Sequence, residues 1–198
     1  MSNELVVVEK TDEQRNMLLV QQATPEQRAS RRQQFNTWVN TQLRKGIDYG
    51  EIKGVDRPTL LKPGAEKIIQ LFGCVADATV THREQDLESG YLNVEVTVNI
   101  VDLRTGNRVG AGIGSCSTLE SKYRWRKEWY NGNGTPQGDG WTKTNGNKWF
   151  RRIQNPDMAD QWNTVIKMAK KRALVDAALS ISGASEMFTQ DIEDIVDV

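Results

Sequence analysis

The feature that most constrains this fold is a clean alternation of apolar and polar residues between Tyr91 and Val101. Every even-numbered residue from Leu92 to Ile100 is Leu, Val or Ile, and every odd-numbered residue between them is Asn, Glu or Thr. Because successive side chains of a strand point to opposite faces, this pattern predicts a strand with one buried and one solvated face. Such half-exposed strands are typical of antiparallel sheets.

Two further strands are predicted around it. Residues 74–82 form the first, and the stretch EQDLESG at 84–90 connects it to the central strand. The third follows a turn at 102–107. Over 109–114 it alternates glycine with apolar residues, so one of its faces carries almost no side chains. A helix, a backbone or a ligand must pack closely against that face. The motif GAGIGS lacks the Gly-Lys-Ser/Thr ending of a phosphate-binding loop, which favours a structural role for the glycines.

Helix signals precede the strands. Capping boxes are predicted at Thr11 and Thr24. In a capping box, the side chain of the Thr and the side chain of a Gln three residues later each accept a hydrogen bond from the other residue's backbone N–H. The second has Pro at its first helical position and opens a helix that reaches about Lys45. A short helix is predicted from Pro63 to Gly73.

A long helix is predicted near the end of the chain, capped by Asn155-Pro156-Asp157 and ended by Ser182-Gly183. Its apolar face consists of Trp162, Val165, Ile166, Ala169, Ala173 and Ala177. Lys167, Lys170 and Lys171 fall on another face. These lysines are equally consistent with contacts to a phosphate backbone and with the solvated side of an ordinary amphipathic helix.

Charge divides the chain into three parts although its net charge is zero. Residues 1–13 hold four acids and one lysine, and residues 186–198 hold five acids and no base, so the 172 residues between them carry +8. A basic body is suited to a polyanionic partner, although uneven charge on a protein with no such partner is the alternative. We predict an acidic, mobile N-terminal segment over 1–23, a binding domain over 24–184 and an acidic tail over 185–198.

The basic aromatic segment, residues 119–152, carries the strongest chemical signal. It holds eight Lys or Arg, three acids, four of the six tryptophans and a glycine-rich loop, NGNGTPQGDG. Cations bind phosphates and ring faces stack on unpaired bases, so this interleaving predicts single-stranded nucleic acid. The alternative is a hairpin whose rings form a core and whose cations are solvated. With the helix lysines, the candidate DNA-binding residues are Lys122, Tyr123, Arg124, Trp125, Arg126, Lys127, Trp129, Trp141, Lys143, Lys148, Arg151, Arg152, Lys167, Lys170 and Lys171.

Other classes of protein are disfavoured. No apolar run approaches the ~20 residues of a membrane span, and the acids of the first residues do not fit a signal peptide. Two cysteines, Cys74 and Cys116, make no disulfide framework, and with one histidine, His82, the chain lacks the ligands of a typical structural zinc site. We therefore predict no metal and no cofactor.

A metal-dependent nuclease is the least favoured alternative. Such a site pairs an Asp with a Glu-x-Lys triplet, and Asp102, Glu120 and Lys122 would supply these residues. A second triplet of the same kind, Glu51-Ile52-Lys53, shows how easily the pattern arises by chance. Asp102 also suits a turn without any metal. We expect no enzymatic activity.

Three blocks of sequence carry a resemblance. They are DYGEIKGVDRPTLLKPGAEKIIQLFG, GSCSTLESKYRWR and NTVIKMAKKRALVDAALSISGASEMFTQD, spread from residue 48 to residue 191. They resemble a group of phage and prophage single-strand annealing recombination proteins, which are distantly similar to the Rad-type annealases of eukaryotes. The group's cysteine pairs, which follow the YRWR-like block in many members, are absent here, so no zinc site is carried over.

The resemblance implies a β-β-β-α core, copies assembled into rings or filaments, and single-stranded DNA in a positively charged groove. The expected function is ATP-independent annealing of complementary strands in phage-type recombination or DNA repair, in the cytoplasm of a bacterial host cell. A recombination accessory protein that binds DNA without annealing it is the second hypothesis. The tail could recruit a single-strand-binding protein or a phage exonuclease, or merely add solubility. The exposed face of 91–101 and the glycine face of 109–114 also favour a homo-oligomer.

Combining these segments, we predict an α+β fold. N-terminal helices are followed by a three-stranded antiparallel sheet, a basic aromatic hairpin and a long helix.

Overall fold

A computed structural model describes residues 24–51, 55–132 and 134–189. The capping box predicted at Thr11 therefore lies outside the described residues, as does most of the predicted acidic tail. The fold is α+β, as predicted, and contains a three-stranded antiparallel sheet with a helix after it.

The chain divides into two compact units, residues 1–43 and 44–198. In the first unit, helix α1 spans Pro25–Gln42. Its predicted capping box is confirmed, because Thr24 Oγ1 accepts from Gln27 N at 3.3 Å and Gln27 Oε1 accepts from Thr24 N at 3.0 Å. The helix ends three residues before its predicted end, as Leu43 turns to extended backbone.

The second unit begins with a small ladder. Strands β1 (Tyr49–Gly50) and β2 (Thr59–Leu60) pair antiparallel, and helix α2 spans Lys62–Leu71, close to its predicted bounds. Asp48 is fully buried beside them. Its Oδ2 accepts from Lys67 Nζ at 2.6 Å and also from a backbone N–H, which holds the turn before β1 in place.

The main sheet contains the three predicted strands, β3 (Cys74–Asp86), β4 (Tyr91–Asp102) and β5 (Arg108–Ser117), with β4 in the centre. All five apolar residues between Leu92 and Ile100 are at most 2% exposed, while the odd-numbered residues are partly exposed. The alternation therefore identified the buried face correctly.

The first strand is longer than predicted. It continues through Glu84 and Gln85 to Asp86, so only residues 87–90 remain as the connection. The added residues are exposed on both faces, and such a stretch shows no apolar alternation in sequence. His82, expected at the end of the strand, consequently lies within it.

A small sheet replaces the predicted hairpin. After the short helix α3 (Ser121–Arg124), strands β6 (Trp125–Trp129), β7 (Trp141–Lys143) and β8 (Trp149–Gln154) pair antiparallel in the order β6-β8-β7. The glycine-rich loop therefore joins two strands that are not neighbours. The tight hairpin turn lies between β7 and β8, at 144–148, where Thr144 N donates to the carbonyl oxygen of Lys148.

The long helix, α4, spans Trp162–Ser182 and ends at Gly183, whose φ of +62° is left-handed, as expected for a helix-ending glycine. Its start differs from the prediction, because a 3₁₀ turn at Met158–Gln161 comes first. Asn155 lies between β8 and this turn and is hydrogen-bonded to α3. Its Nδ2 donates to the carbonyl oxygen of Tyr123 at 3.1 Å.

Helix α4 covers the glycine face of β5. A Cβ on Gly112 would lie 2.2 Å from Ala177 N and 2.5 Å from the carbonyl oxygen of Ala173. Close packing was predicted, and the packing element is the chain's own helix. The glycine face is therefore not a surface for a second copy, contrary to our expectation.

The same helix closes one edge of the main sheet. Asp176 Oδ2 accepts from Ile113 N at 2.9 Å, and Arg172 Nη1 donates to the carbonyl oxygen of Ser115. Both backbone groups belong to β5, an edge strand, so this edge is less able to pair with another strand.

The first residues of the predicted acidic tail are part of the fold. Phe188 is 3% exposed, and Thr189 N donates to the carbonyl oxygen of Pro58 at 2.9 Å while its own carbonyl accepts from Leu60 N at 3.0 Å. Within the described ranges, no helix is long and apolar enough to cross a membrane.

Candidate nucleic-acid interface

The register of the small sheet sorts its side chains onto two faces. In β6 and β8, Lys127 lies opposite Arg152 and Trp129 lies opposite Phe150, whereas Glu128 lies opposite Arg151. Residues opposite each other share a face. We call one the cationic face, formed by Trp125, Lys127, Trp129, Phe150 and Arg152, and the other the ion-paired face, formed by Arg126, Glu128, Trp141, Lys143, Trp149 and Arg151.

The cationic face brings like charges together. Lys127 and Arg152 are directly opposite and both are exposed. The three strands contain a single acid, Glu128, and it points to the other face. Arg152 donates a hydrogen bond to Ser121 Oγ, and no carboxylate among the described residues forms a salt bridge with it. Like charges directly opposite each other in a sheet repel, so Lys127 and Arg152 form a site of concentrated positive charge.

The ion-paired face has the opposite arrangement. Arg126 Nη1 lies 2.6 Å from Asp157 Oδ2, and Arg151 Nε donates to Glu128 Oε2. Both arginines are among the DNA-binding residues predicted from the sequence. The structure gives each of them a carboxylate, so their charges are already balanced within the protein.

Most rings of the small sheet already have a cation over them. Trp125 has the guanidinium groups of Arg124 and Arg152 at 5.2 Å and 5.3 Å from its ring centroid. Lys127 Nζ lies 4.7 Å from the centroid of Phe150. These contacts hold the charges close to the sheet.

On the ion-paired face, Arg151 lies 5.0 Å from the centroid of Trp141, and Tyr130 packs edge-on against that ring at 5.6 Å. Lys143 Nζ lies 5.7 Å from the centroid of Trp149. Both tryptophans are therefore engaged within the protein. Trp141, one of the predicted DNA-binding residues, is therefore a weak candidate for stacking on a base.

Trp129 differs from the other three tryptophans of the segment. It is 46% exposed, and its neighbour is Phe150, with ring centroids 5.6 Å apart and planes tilted by 51°. Among the described residues, no cation lies over its ring. Trp129 therefore offers the most accessible aromatic surface of the small sheet.

Two open pockets adjoin the cationic face. The first, with a volume of about 400 Å³, is lined by Ser121, Lys122, Trp125, Lys127, Phe150 and Arg152, together with Arg126. The second, with a volume of about 410 Å³, is lined by Trp129, Tyr130, Asn131 and Lys148.

Ser121 and Phe150 belong to this surface but were not predicted from the sequence. Phe150 is two residues from Arg152 and therefore lies on the same face of β8. This spacing identifies Phe150 only when the position of the strand is known. Ser121 was not detectable, since its role depends on the fold around Arg152.

Four predicted residues lie away from the small sheet's surface. Tyr123 is buried, at 7% exposure, and burial raises its pKa to about 12, so it supports α3 rather than presenting a ring. Lys167, Lys170 and Lys171 lie on α4, which packs on the main sheet, with the first two exposed.

Glu120 ties α4 to the base of the small sheet. It accepts from Arg172 Nη1 at 2.6 Å and from Arg172 Nη2 at 2.9 Å, and Lys122 Nζ is 3.4 Å away. Burial alone would raise the pKa of Glu120. The hydrogen bonds and charge of Arg172, with a further hydrogen bond from Cys116, outweigh burial and lower that pKa to about 2. Glu120 is therefore a half-buried anchor with its own cations.

The alternative nuclease residues are not brought together. Asp102 accepts from Arg104 N at 2.8 Å and from Thr105 N at 2.9 Å in the turn after β4. Glu120 follows β5 at the other end of the sheet, where Ser117 pairs with Asn93. Nine residues of strand separate the two ends, about 30 Å. In the parts of the chain that the structure describes, no three His, Cys, Asp or Glu side chains are placed to hold a metal.

Comparison of the chain with protein-family models, with curated proteins and with solved structures finds no match in any of the three. The resemblance to annealing proteins therefore stays an expectation carried by the three sequence blocks.

Proposed function

We propose that this protein binds single-stranded DNA on the cationic face of the small sheet and promotes ATP-independent annealing of complementary strands. The observation that carries the proposal is the opposed pair Lys127 and Arg152, which are exposed, set among aromatic rings and not paired with any carboxylate of the described residues. A phosphate between the two cations would turn a repulsive pair into an attractive cluster. Rings beside phosphate-binding cations are the means by which single strands are held without sequence preference.

The surface suits annealing on physical grounds. Two single strands repel each other through their phosphates, and cations that neutralise one strand lower the barrier to the approach of the second. Bases that stack on protein rings are separated from one another, which leaves their pairing edges accessible. Neither step requires nucleotide hydrolysis. The β-β-β-α arrangement that the resemblance implies fits the order of the main sheet, the small sheet and α4.

Assembly of several copies is part of the proposal. The longest strand of the small sheet has six residues, about 20 Å, so one copy contacts only a short stretch of DNA. Aligned copies would extend the track. The glycine face does not support assembly, because α4 covers it. The edge of β5 is not available for pairing with another copy either, because Asp176 and Arg172 bind its backbone groups. Light scattering with and without DNA tests this point, and a monomer under both conditions at micromolar concentration would remove the ring or filament.

A non-annealing DNA-binding accessory protein would use the same surface. Two measurements on one sample separate the possibilities: binding of a labelled oligonucleotide, and the rate at which two complementary oligonucleotides anneal. Binding with no acceleration of annealing supports the accessory role. Parallel reactions with Mg²⁺ or Mn²⁺ test for cleavage, and we expect intact strands.

The site itself is tested by charge removal on the two faces. In Lys127→Gln with Arg152→Gln, binding should weaken and the slope of log affinity against log salt should fall by about 1.4, at roughly 0.7 per phosphate contact. The matched control, Lys143→Gln with Arg151→Gln, removes the same charge from the ion-paired face and should change the slope by less than half as much. If both double variants change the salt slope equally, binding depends on the overall charge of the protein and not on the cationic face.

A further inference from the structure

The two pockets beside the cationic face differ in a way that the proposed function does not require. In the first pocket, the two rings are already covered: Trp125 by Arg124 and Arg152, and Phe150 by Lys127. A base that stacked there would have to displace a cation from a ring. Lys127 and Arg152, however, are exposed, and no carboxylate among the described residues forms a salt bridge with either of them. This pocket is therefore better suited to a phosphate than to a base.

The second pocket has the complementary properties. The ring of Trp129 is 46% exposed and, among the described residues, no cation covers it. Lys148 and Asn131 line the same pocket. Lys148 is exposed and supplies one cation, and Asn131 supplies both donors and an acceptor for the edge of a base. This pocket is therefore suited to a single base stacked on Trp129.

The two pockets are close enough to act on one strand of DNA. Phe150 of the first and Trp129 of the second have ring centroids 5.6 Å apart. Along β6, Trp125 and Trp129 are separated by four residues, about 13 Å. Stacked bases in a duplex rise by 3.4 Å per nucleotide, so a phosphate in one pocket and a base in the other belong to nucleotides one to about four steps apart.

We propose that the small sheet divides recognition between two subsites. Lys127 and Arg152 form a phosphate subsite, and Trp129 with Asn131 and Lys148 forms a base subsite that takes one unstacked base from the same short stretch of single-stranded DNA. This inference rests on the proposed function. It adds that charge and stacking are carried by different residues and can be removed separately.

The experiment uses the full chain and two oligonucleotides of equal length, one of thymidines and one made entirely of abasic sites, which keeps the phosphates and removes the bases. Wild type should bind the thymidine strand roughly 5- to 150-fold more tightly than the abasic strand, the fold-change that corresponds to one stacked base. In Trp129→Leu, the two strands should bind equally, with the salt slope unchanged. Leucine keeps apolar contact with Phe150 and removes the stacking surface.

The double variant Lys127→Gln with Arg152→Gln should show the reverse: a salt slope lowered by about 1.4 and an undiminished preference for the strand with bases. Trp149→Leu on the ion-paired face is the control for tryptophan removal and should retain both properties, with folding checked by thermal melts.

The outcomes separate the two proposals. If wild type binds neither strand, the proposed function fails. If it binds both equally, or if each variant lowers the salt slope and the base preference together, DNA binding stands and the division into two subsites is overturned.

Discussion

The main sheet and the small sheet are both three-stranded and antiparallel, yet they are built on different principles. The main sheet packs β4 and β5 against α4, with five residues of β4 at most 2% exposed. None of the 14 residues in strands β6, β7 and β8 is buried. Burial in the main sheet therefore explains the alternating apolar residues of its central strand. The small sheet has like charges opposed and a ring exposed, and burial explains neither of these features.

The largest expected effect concerns the packing of the main sheet. In Gly112→Ala, the new Cβ would lie 2.2 Å from Ala177 N and 2.5 Å from the carbonyl oxygen of Ala173. Both are backbone atoms, so the whole helix must shift. We expect the free energy of unfolding to fall by about 3 kcal/mol or more, at the upper end of the range for overpacking.

Denaturant unfolding of Gly112→Ala beside Gly50→Ala checks this. Gly50 has nothing within 4 Å of its Cβ position, so its substitution should cost less than about 1 kcal/mol. If the two variants are equally stable, α4 does not pack on β5 as the structure shows.

The next effect concerns the connection between the two sheets. The pKa of Glu120 is about 2 in the folded protein, against an ordinary value of 4.5. Its lowered pKa stabilises the fold fully above about pH 5, and this contribution is lost as the pH falls through 4.5 toward 2. Glu120→Gln should therefore lower stability by about 2 to 3 kcal/mol at pH 7 and make little difference near pH 2.

Urea unfolding of wild type and of Glu120→Gln at several pH values measures whether their free energies of unfolding converge toward pH 2. Glu66→Gln is the control, since Glu66 forms an exposed pair with Lys62 at 3.2 Å and should cost only about 0.5 kcal/mol. A constant difference between wild type and Glu120→Gln from pH 7 to pH 2 would contradict the role assigned to the carboxylate.

The same contrast explains what the sequence could predict. The alternation in β4 and the glycines of β5 were readable because a buried face imposes a pattern on every second residue. The end of β3 could not be predicted from the sequence, because Glu84 to Asp86 are exposed on both faces and show no alternation. Composition located the basic aromatic segment, but its two faces depend on the pairing of β6 with β8. That pairing crosses the glycine-rich loop, and the loop's composition suggested a hairpin turn instead.

The ion pairs show the same limit. Arg126 and Arg151 are indistinguishable in sequence from Lys127 and Arg152, because all four lie among the same rings. Asp157, which neutralises Arg126, is 31 residues away. Partners at that separation are set by tertiary structure, so sequence alone could not divide the cations into balanced and unbalanced ones.

The smallest expected effect is a salt dependence whose sign separates the two faces. Lys127→Gln relieves the repulsion between Lys127 and Arg152 but also removes the contact of Lys127 with the ring of Phe150, so its net effect at low salt should be about 0.5 kcal/mol or less in either direction. Arg151→Gln removes the attractive pair with Glu128 and should destabilise the fold by about 0.2 to 1 kcal/mol. At 1 M salt, exposed charges are screened beyond about 3 Å. Lys127→Gln should then lose stability relative to wild type, because the repulsion that it relieves is already screened, whereas Arg151→Gln should come closer to wild type. Thermal melts of the three proteins at low and high salt measure both trends. If the two variants respond to salt in the same direction, Lys127 and Arg152 do not repel each other and the cationic face is not a like-charged surface.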